Sequence, residues 1–274
     1  AAAPSPAVIP GTPAVGPTIA GSVSGGGAGI QADLLTFASL GVHGTSAVTA
    51  LTAQNTVGVT GVHVPPVEFL LAQIEAVLDD LPVAATKTGM LATEEVVRAV
   101  AGLAAAGRLP GLVVDPVLVS STGARLLDPG AERAYREALF PHAVVVTPNT
   151  REATTLLEIL VETVADAREA ARRLGDLGPA WVVVKGGHLA DDGGDAVDVV
   201  YETATGELSE LRLPRILTRN DHGTGCTFGA ATAALMARGA GVPAALDAAK
   251  RFVHAGLASS ADWQTTASAV GILW

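Results

Sequence analysis

The sequence predicts an α/β chain with a mostly parallel central sheet and helices on both of its faces. Wholly apolar runs at 111–114, 143–146 and 181–184 lack the alternation of a half-exposed strand, so both of their faces must be buried. Each run stops in a turn: Asp115-Pro116, Thr147-Pro148-Asn149 and Lys185-Gly186-Gly187. Segments with helical spacing alternate with them, which is the grammar of a sheet wound by crossover helices. No period of repeat length recurs, so a solenoid is excluded.

Taken in order, residues 30–40 read as a helix leaving a glycine loop. Residues 67–79 put Phe69, Leu70, Ile74, Val77 and Leu78 on one helical side. Thr93 suits the N-cap of a helix over 93–106, with Glu94 and Glu95 in the first turn where the helix dipole favours carboxylates. The strand at 111–115 comes next, then the strand at 143–147 with a helix over 151–160. A helix over 165–177 leads into the strand at 181–187. Residues 197–202 and 210–213 suit a hairpin pair, and 226–238 and 244–259 are long Ala-rich helices. Residues 1–17, rich in Ala, Pro and Gly, lack a basic region followed by an apolar core. They are expected to be a flexible extension, with a single domain over 18–274.

The net charge of −10 comes without basic blocks, so nothing marks a surface for nucleic acid or anionic lipid. No run is long and apolar enough to span a bilayer. Any bound phosphate must be held by local groups, because the overall field repels anions. One cysteine, Cys226, cannot form an intramolecular disulfide, which fits a reducing cytoplasm. Six scattered histidines and that cysteine give no zinc spacing, and no Gly-x-Ser-x-Gly elbow is present.

Ligands of such sheets bind beyond the carboxyl ends of the strands, where Asp115, Asn149 and Lys185 all stand. The most informative segment is His222-Gly223-Thr224-Gly225-Cys226-Thr227, which opens a helix. Two glycines let amides turn toward one point, and the helix N-terminus adds partial positive charge, so Gly223 to Cys226 form a candidate anion hole. A thiol there is expected to have a lowered pKa. Cys226 then either accepts a proton from a hydroxyl or lines the phosphate site; a lone cysteine elsewhere is usually a small buried hydrophobe.

The run from Gly21 to Gly29 is not a Walker A loop, since no Gly-Lys-Ser/Thr follows. A flexible linker is one reading. Its direct entry into a helix favours a structured loop close to a ligand. Asp33 in that helix either accepts from a ring amine or is an ordinary solvated or capping carboxylate. Asn149 and Glu152, three apart at a helix start, share a face. They suit either Mg²⁺ held through waters or a capping box. Lys185 at a strand end can neutralise nucleotide phosphates. His188 and His222 read as turn histidines.

Together these segments resemble the hydroxymethylpyrimidine kinase / phosphomethylpyrimidine kinase family of thiamine biosynthesis, within the ribokinase-like superfamily. The resemblance spans about 18–263. It is carried by Ala-Gly-Ser…Gly-Gly-Ala-Gly-Ile-Gln-Ala-Asp (20–33), Thr-Ala-Leu-Thr-Ala-Gln-Asn-Thr (49–56), Lys-Thr-Gly-Met-Leu (87–91), Val-Val-Asp-Pro-Val (113–117), Thr-Pro-Asn (147–149), Val-Lys-Gly-Gly-His (184–188) and His-Gly-Thr-Gly-Cys-Thr (222–227).

The resemblance implies a three-layer sandwich, usually a homodimer, that uses ATP and Mg²⁺ to phosphorylate a small pyrimidine. It implies that Gly21, Asp33, Gln54 and Met90 surround the aminopyrimidine. Gly223, Thr224, Gly225 and Cys226 match the anion hole and proposed base. Asp115, Asn149 and Lys185 match the ATP side, with Glu152 and Asn149 near the metal. Pyridoxal kinases of this branch look similar, so pyridoxal and modified pyrimidines are alternative acceptors; a non-catalytic pyrimidine-binding module is another. Ribokinase-like sugar kinases typically place an aspartate where Cys226 stands, which disfavours a sugar acceptor. The chain departs from the family pattern at Val23, where an aspartate is usual, at Leu118 for methionine, at 121–124, at Gly16-Pro17 and in its last eight residues.

Overall fold

The computed structural model describes residues 12–55, 58–118, 130–187, 189–191, 193–218 and 220–260. The readings of His188, of 121–124, of the last eight residues and of most of the N-terminal extension lie outside the described residues.

A single nine-stranded sheet runs through the described residues in the order β3-β2-β1-β4-β5-β6-β7-β8-β9. Its members are β1 (Val15–Val23), β2 (His43–Gln54), β3 (Val59–His63), β4 (Lys87–Thr88), β5 (Val113–Val114), β6 (Val145–Val146), β7 (Trp181–Gly186), β8 (Asp195–Glu202) and β9 (Glu207–Pro214). The six strands from β2 to β7 in that order are parallel, while β3, β8 and β9 pair antiparallel at the two edges. The predicted hairpin is therefore present as β8–β9. β5 and β6 are two residues long as strands, but their ladders continue through Asp115 N–H to Thr88 C=O and Thr147 N–H to Val114 C=O.

Helices α1 (Gly29–Ser39), α7 (Thr224–Ala237) and α8 (Val242–Ser259) cover one face. Helices α2 (Val67–Asp80), α3 (Glu94–Ala105), α4 (Ala131–Ala134), α5 (Thr150–Leu157) and α6 (Val164–Gly175) cover the other. α6 buries Val164, Ala167, Ala170, Ala171 and Leu174, a stripe at helical spacing against the sheet. α7 is buried almost all round, because α8 and α1 pack on the sides that the sheet leaves open. Its alanines and glycines allow that close approach. Thr93 caps α3 as expected, accepting from Val96 N–H.

Two expectations are corrected. The first strand begins at Val15, so the extension ends at least three residues earlier than 17. Pro17 lies inside this central strand, opposite Thr45, although it has no N–H to give the ladder. The segment 131–142 was not read as an element. It is α4 continued by a π turn over Tyr135–Leu139 and a 3₁₀ turn over Phe140–His142. Among the described residues, no helix is long and apolar enough to cross a membrane.

Candidate active site

From β1 the chain first adds β2 and β3 on one side, then returns to place β4 on the other. The point between β1 and β4 is thus the topological switch, where a crevice opens beyond the strand ends. Gly21 and Met90 face each other across it. A Cβ on Gly21 would lie 2.6 Å from Met90 Cε, so the glycine lets the methionine methyl pack directly against the loop. Thr49 fixes the Met90 turn by donating to Met90 C=O at 2.6 Å. Tyr135, fully buried in the π turn, donates to Gly89 C=O at 3.2 Å. Ala50, Met90 and Ala92 form a small apolar wall there.

The glycine run is an ordered loop. Gln31 accepts from Val23 N–H at 2.9 Å and donates to Ser22 Oγ at 2.8 Å, closing the loop on its own helix. Ser24 Oγ accepts from Gln54 N–H at 2.9 Å and donates to Gln54 C=O at 2.8 Å, tying the loop to the end of β2. Gln54 thereby stands beside the switch point, 9% exposed. Gly29 has φ +62°, and a Cβ on it would run into Gly21 C=O. Val23 is nearly buried and packs against Gly29, so a hydrophobe fits the position as built.

Gly223, with φ +85°, opens α7 and packs onto this first loop; a Cβ on it would strike Gly27 C=O. The N-termini of α1 and α7 therefore converge. Neither helix has a side-chain cap or an acidic residue in its first turn. Thr224 turns back on Asp221, its amide at 3.3 Å and its hydroxyl at 2.9 Å from Asp221 C=O. Among the described residues, the amides of Gly225 and Cys226 have no protein acceptor. Of the expected anion-hole amides, Thr224 is thus engaged with Asp221, while those of Gly225 and Cys226 are open.

Cys226 is partly covered, with the Gly29 amide nearby. Burial pushes the thiol up to about 11, against the opposing pull of Lys87 and that amide. The expected lowering is therefore corrected: desolvation outweighs the helix terminus here.

Behind this turn runs a ladder of buried charges. Lys185 Nζ lies 2.8 Å from Asp115 Oδ1, which also accepts from Thr147 at 3.3 Å. Lys185 fills the space that Gly225 leaves; a Cβ there would be 3.0 Å from Nζ. Asn149 pairs with Lys185 across a β-bridge and caps α5 in a reciprocal box with Glu152. The capping reading is present, then: Glu152 N–H to Asn149 Oδ1 is 2.9 Å, and Asn149 N–H to Glu152 Oε2 is 2.7 Å. Burial pushes the Glu152 carboxyl up to about 8; Lys185 opposes and Asp115 adds to the rise.

Asp33 is corrected. It is completely buried, taking Lys87 Nζ at 2.8 and 3.0 Å and the Thr18 hydroxyl at 2.6 Å. Its oxygens are committed inside and reach no acceptor. Burial pushes the Asp33 carboxyl up, opposed by Lys87 and Thr18, while Asp33, Cys226 and Asp115 hold the Lys87 ammonium above its ordinary value against its own burial. Lys87 itself was not singled out. The signal was a lysine interrupting Ala-Ala-Thr-Lys-Thr-Gly-Met-Leu, an otherwise uncharged stretch.

The phosphomethylpyrimidine kinase family model matches residues 24–271. The chain belongs to that family. It is 48% identical over 251 residues to a hydroxymethylpyrimidine/phosphomethylpyrimidine kinase of Streptomyces coelicolor, covering 92% of this chain and 90% of that one. A thiamine biosynthesis bifunctional protein of Geobacter sulfurreducens is 48% identical over 88% of this chain; the chain spans about half of that relative's length (48%). Among solved structures, a Bacillus subtilis pyridoxal kinase bound to ADP superposes with TM-score 0.85 at 37% identity, over 95% of this chain and 96% of that one. A phosphomethylpyrimidine kinase of Clostridium difficile superposes with TM-score 0.77 at 36% identity, over 89% and 99%. These neighbours bear out the ribokinase-like fold expected of a phosphomethylpyrimidine kinase family member.

Proposed function

We propose that the chain transfers the γ-phosphate of ATP to the hydroxymethyl oxygen of 4-amino-5-hydroxymethyl-2-methylpyrimidine, and then to its monophosphate, in thiamine biosynthesis. The observation that carries this reading is the meeting of the small apolar wall of Ala50, Met90 and Ala92 with the open amides of Gly225 and Cys226. The first suits a flat ring, with the Gln54 amide available to ring nitrogens. The second suits a phosphoryl group in flight. The 48% identity to a named pyrimidine kinase supports this ring; among the solved structures a pyrimidine kinase at 36% and a pyridoxal kinase at 37% stand alike, so the acceptor is a matter for the assay.

In this reading the hydroxymethyl oxygen attacks in line, and Cys226 receives or relays its proton. The amides of Gly225 and Cys226 stabilise charge on the phosphoryl oxygens. Lys185, Asp115 and Asn149 meet the nucleotide phosphates. Positioning and electrostatics supply most of the rate, as in other phosphoryl transfers. Among the described residues no three metal-ligating side chains cluster. Asp115 nevertheless raises the cost of ionising Glu152, which a cation would relieve, so the site fits Mg²⁺ held mostly by water and phosphate. Glu152 and Asn149 would hold that ion, which would neutralise charge between the phosphates. A homodimer is supported by exposed Leu51, Val62 and Phe69 beside the β3 edge, and a reducing cytoplasm by the lone cysteine.

The test is single-turnover phosphorylation of hydroxymethylpyrimidine by wild type and Cys226→Ala. Loss of about 10²–10⁴-fold in the transfer rate, with acceptor binding retained, is expected of a lost proton acceptor. An unchanged rate removes Cys226 from the chemistry.

A further inference from the structure

Two lysines and two carboxylates near the end of β7 pair in a way the strands alone would not choose. Asp198, in β8, is 4% exposed among Val197, Val199 and Val200. A carboxylate buried there costs free energy unless its oxygens are satisfied. In the antiparallel ladder Asp198 stands directly opposite Lys185 of β7. Directly opposed side chains share a face, with Cβ atoms about 5 Å apart, and opposite charges so placed ordinarily meet. Here Lys185 Nζ turns the other way, past β6, to Asp115 Oδ1 at 2.8 Å. Asp198 is taken instead by Lys250 of α8, whose Nζ lies 2.8 Å from Oδ2. Its other oxygen accepts at 3.0 Å from the N–H of Gly186, the residue after Lys185. Both oxygens of Asp198 are thus committed away from the Lys185 ammonium. Lys250 lies on the buried side of α8, with Ala245, Leu246 and Ala249. A buried ion pair adds little stability over apolar residues of the same shape, so stability alone is a weak reason for a lysine there.

We propose that Lys250 is a positioning residue of the nucleotide side: by holding Asp198 it removes the carboxylate that competes for Lys185, and so keeps the Lys185 ammonium turned to Asp115 and the nucleotide phosphates. This rests on the reading of Lys185 as a phosphate-binding residue. Lys250 acts through Lys185 and takes no part in bond making. Without Lys250, one oxygen of Asp198 is buried and unpaired, and Lys185 stands directly across the ladder from it. Lys185 would then be divided between two buried carboxylates, and its hold on a phosphate would weaken. Asp198→Asn in the same chain withdraws the competing charge, while the new amide oxygen still accepts from Gly186 N–H.

The test is calorimetric titration of wild type, Lys250→Met and the double variant Lys250→Met with Asp198→Asn, with ADP and adenosine as probes, beside melting curves. Adenosine carries no phosphate, so it reads the nucleotide site without the Lys185 contact. Lys250→Met should bind ADP at least about tenfold more weakly, the contribution of one charge-assisted hydrogen bond, and adenosine as tightly as wild type does. In the double variant ADP affinity should return to within about threefold of wild type. Equal losses for ADP and adenosine would mean that Lys250 only supports the shape of the site, and would overturn the proposal. Wild-type ADP affinity in folded Lys250→Met, or no recovery in the double variant, overturns it too. If Lys250→Met does not fold, Asp198→Asn alone decides. ADP affinity within about threefold of wild type is expected, and a loss of about tenfold contradicts the proposal, because Lys185 would then depend on the Asp198 charge rather than be drawn off by it. A wild type that shows these ADP differences but phosphorylates no pyrimidine would refute the proposed function and leave the Lys250 role standing. Pyrimidine phosphorylation without the ADP differences would do the reverse.

Discussion

Single residues in this chain do their work through burial. Glu152 illustrates the consequence for pH. Its folded carboxyl titrates near 8, above the ordinary value of 4.5. Between those values the folded state holds the extra proton, so stability is full below about pH 4.5 and falls as pH rises toward 8. Glu152→Gln keeps an acceptor for the Asn149 amide and removes this titration. Urea midpoints at pH 5 and pH 8 should therefore converge in the variant, flattening a slope of at most about 1.4 kcal/mol per pH unit. Lys185→Met strands Asp115, which is 1% exposed, and should cost about 3–5 kcal/mol in the same measurement. At this scale the sequence singled out Asp115, Asn149, Lys185 and Cys226, which stand at strand ends or a helix start, because glycine turns and strand ends are local signals. It misjudged Asp33 and the thiol, because desolvation depends on what other segments bring. The partner that commits Asp33 is Lys87, fifty-four positions away.

The element that matters most is the paired helix start. α1 and α7 meet because Gly29 and Gly223 adopt left-handed backbone and present no side chain to Gly21 and Gly27. Gly223→Ala adds both strain and a collision, and should destabilise by roughly 1–3 kcal/mol while lowering transfer for every acceptor. Gly21→Ala drives a methyl against Met90 Cε instead. It should raise acceptor KM with little change in ATP KM, a split that steady-state kinetics reads directly. Helices with caps and stripes, such as α3 and α6, were legible in the sequence because their signals are periodic and local. The segment 131–139 carries the same spacing in Ala131, Ala134, Tyr135, Ala138 and Leu139, so a helix there was within reach. The π turn was not, since it is set by the packing of Tyr135 under Gly89. Pro17 misled for a related reason: its missing N–H counts against a central strand, but eight neighbouring residues form one around it.

At the scale of the whole molecule, the described residues bring Gln54, Met90, Asp115, Lys185 and Cys226 to one end of a single nine-stranded sheet. β3 is an exposed edge strand, and Leu51, Val62 and Phe69 show apolar surface beside it. Phe69→Glu should shift sedimentation from dimer to monomer if that edge is the subunit contact; an unchanged coefficient would place the contact elsewhere. That helices cover both faces of the sheet followed from its fully apolar strands, whereas the face each helix takes and the order of strands around β1 required the three-dimensional chain. Phosphorylation of a pyrimidine belongs instead to the strand-end crevice between β1 and β4 in the proposed function. Its most direct test is mass spectrometry of products formed from ATP with hydroxymethylpyrimidine, its monophosphate and pyridoxal in parallel. The account predicts addition of one phosphate to each pyrimidine, with kcat/KM at least about tenfold above that for pyridoxal, a difference within reach of site hydrogen bonding. Phosphorylation of pyridoxal in preference to both pyrimidines, or of none of the three, would contradict it.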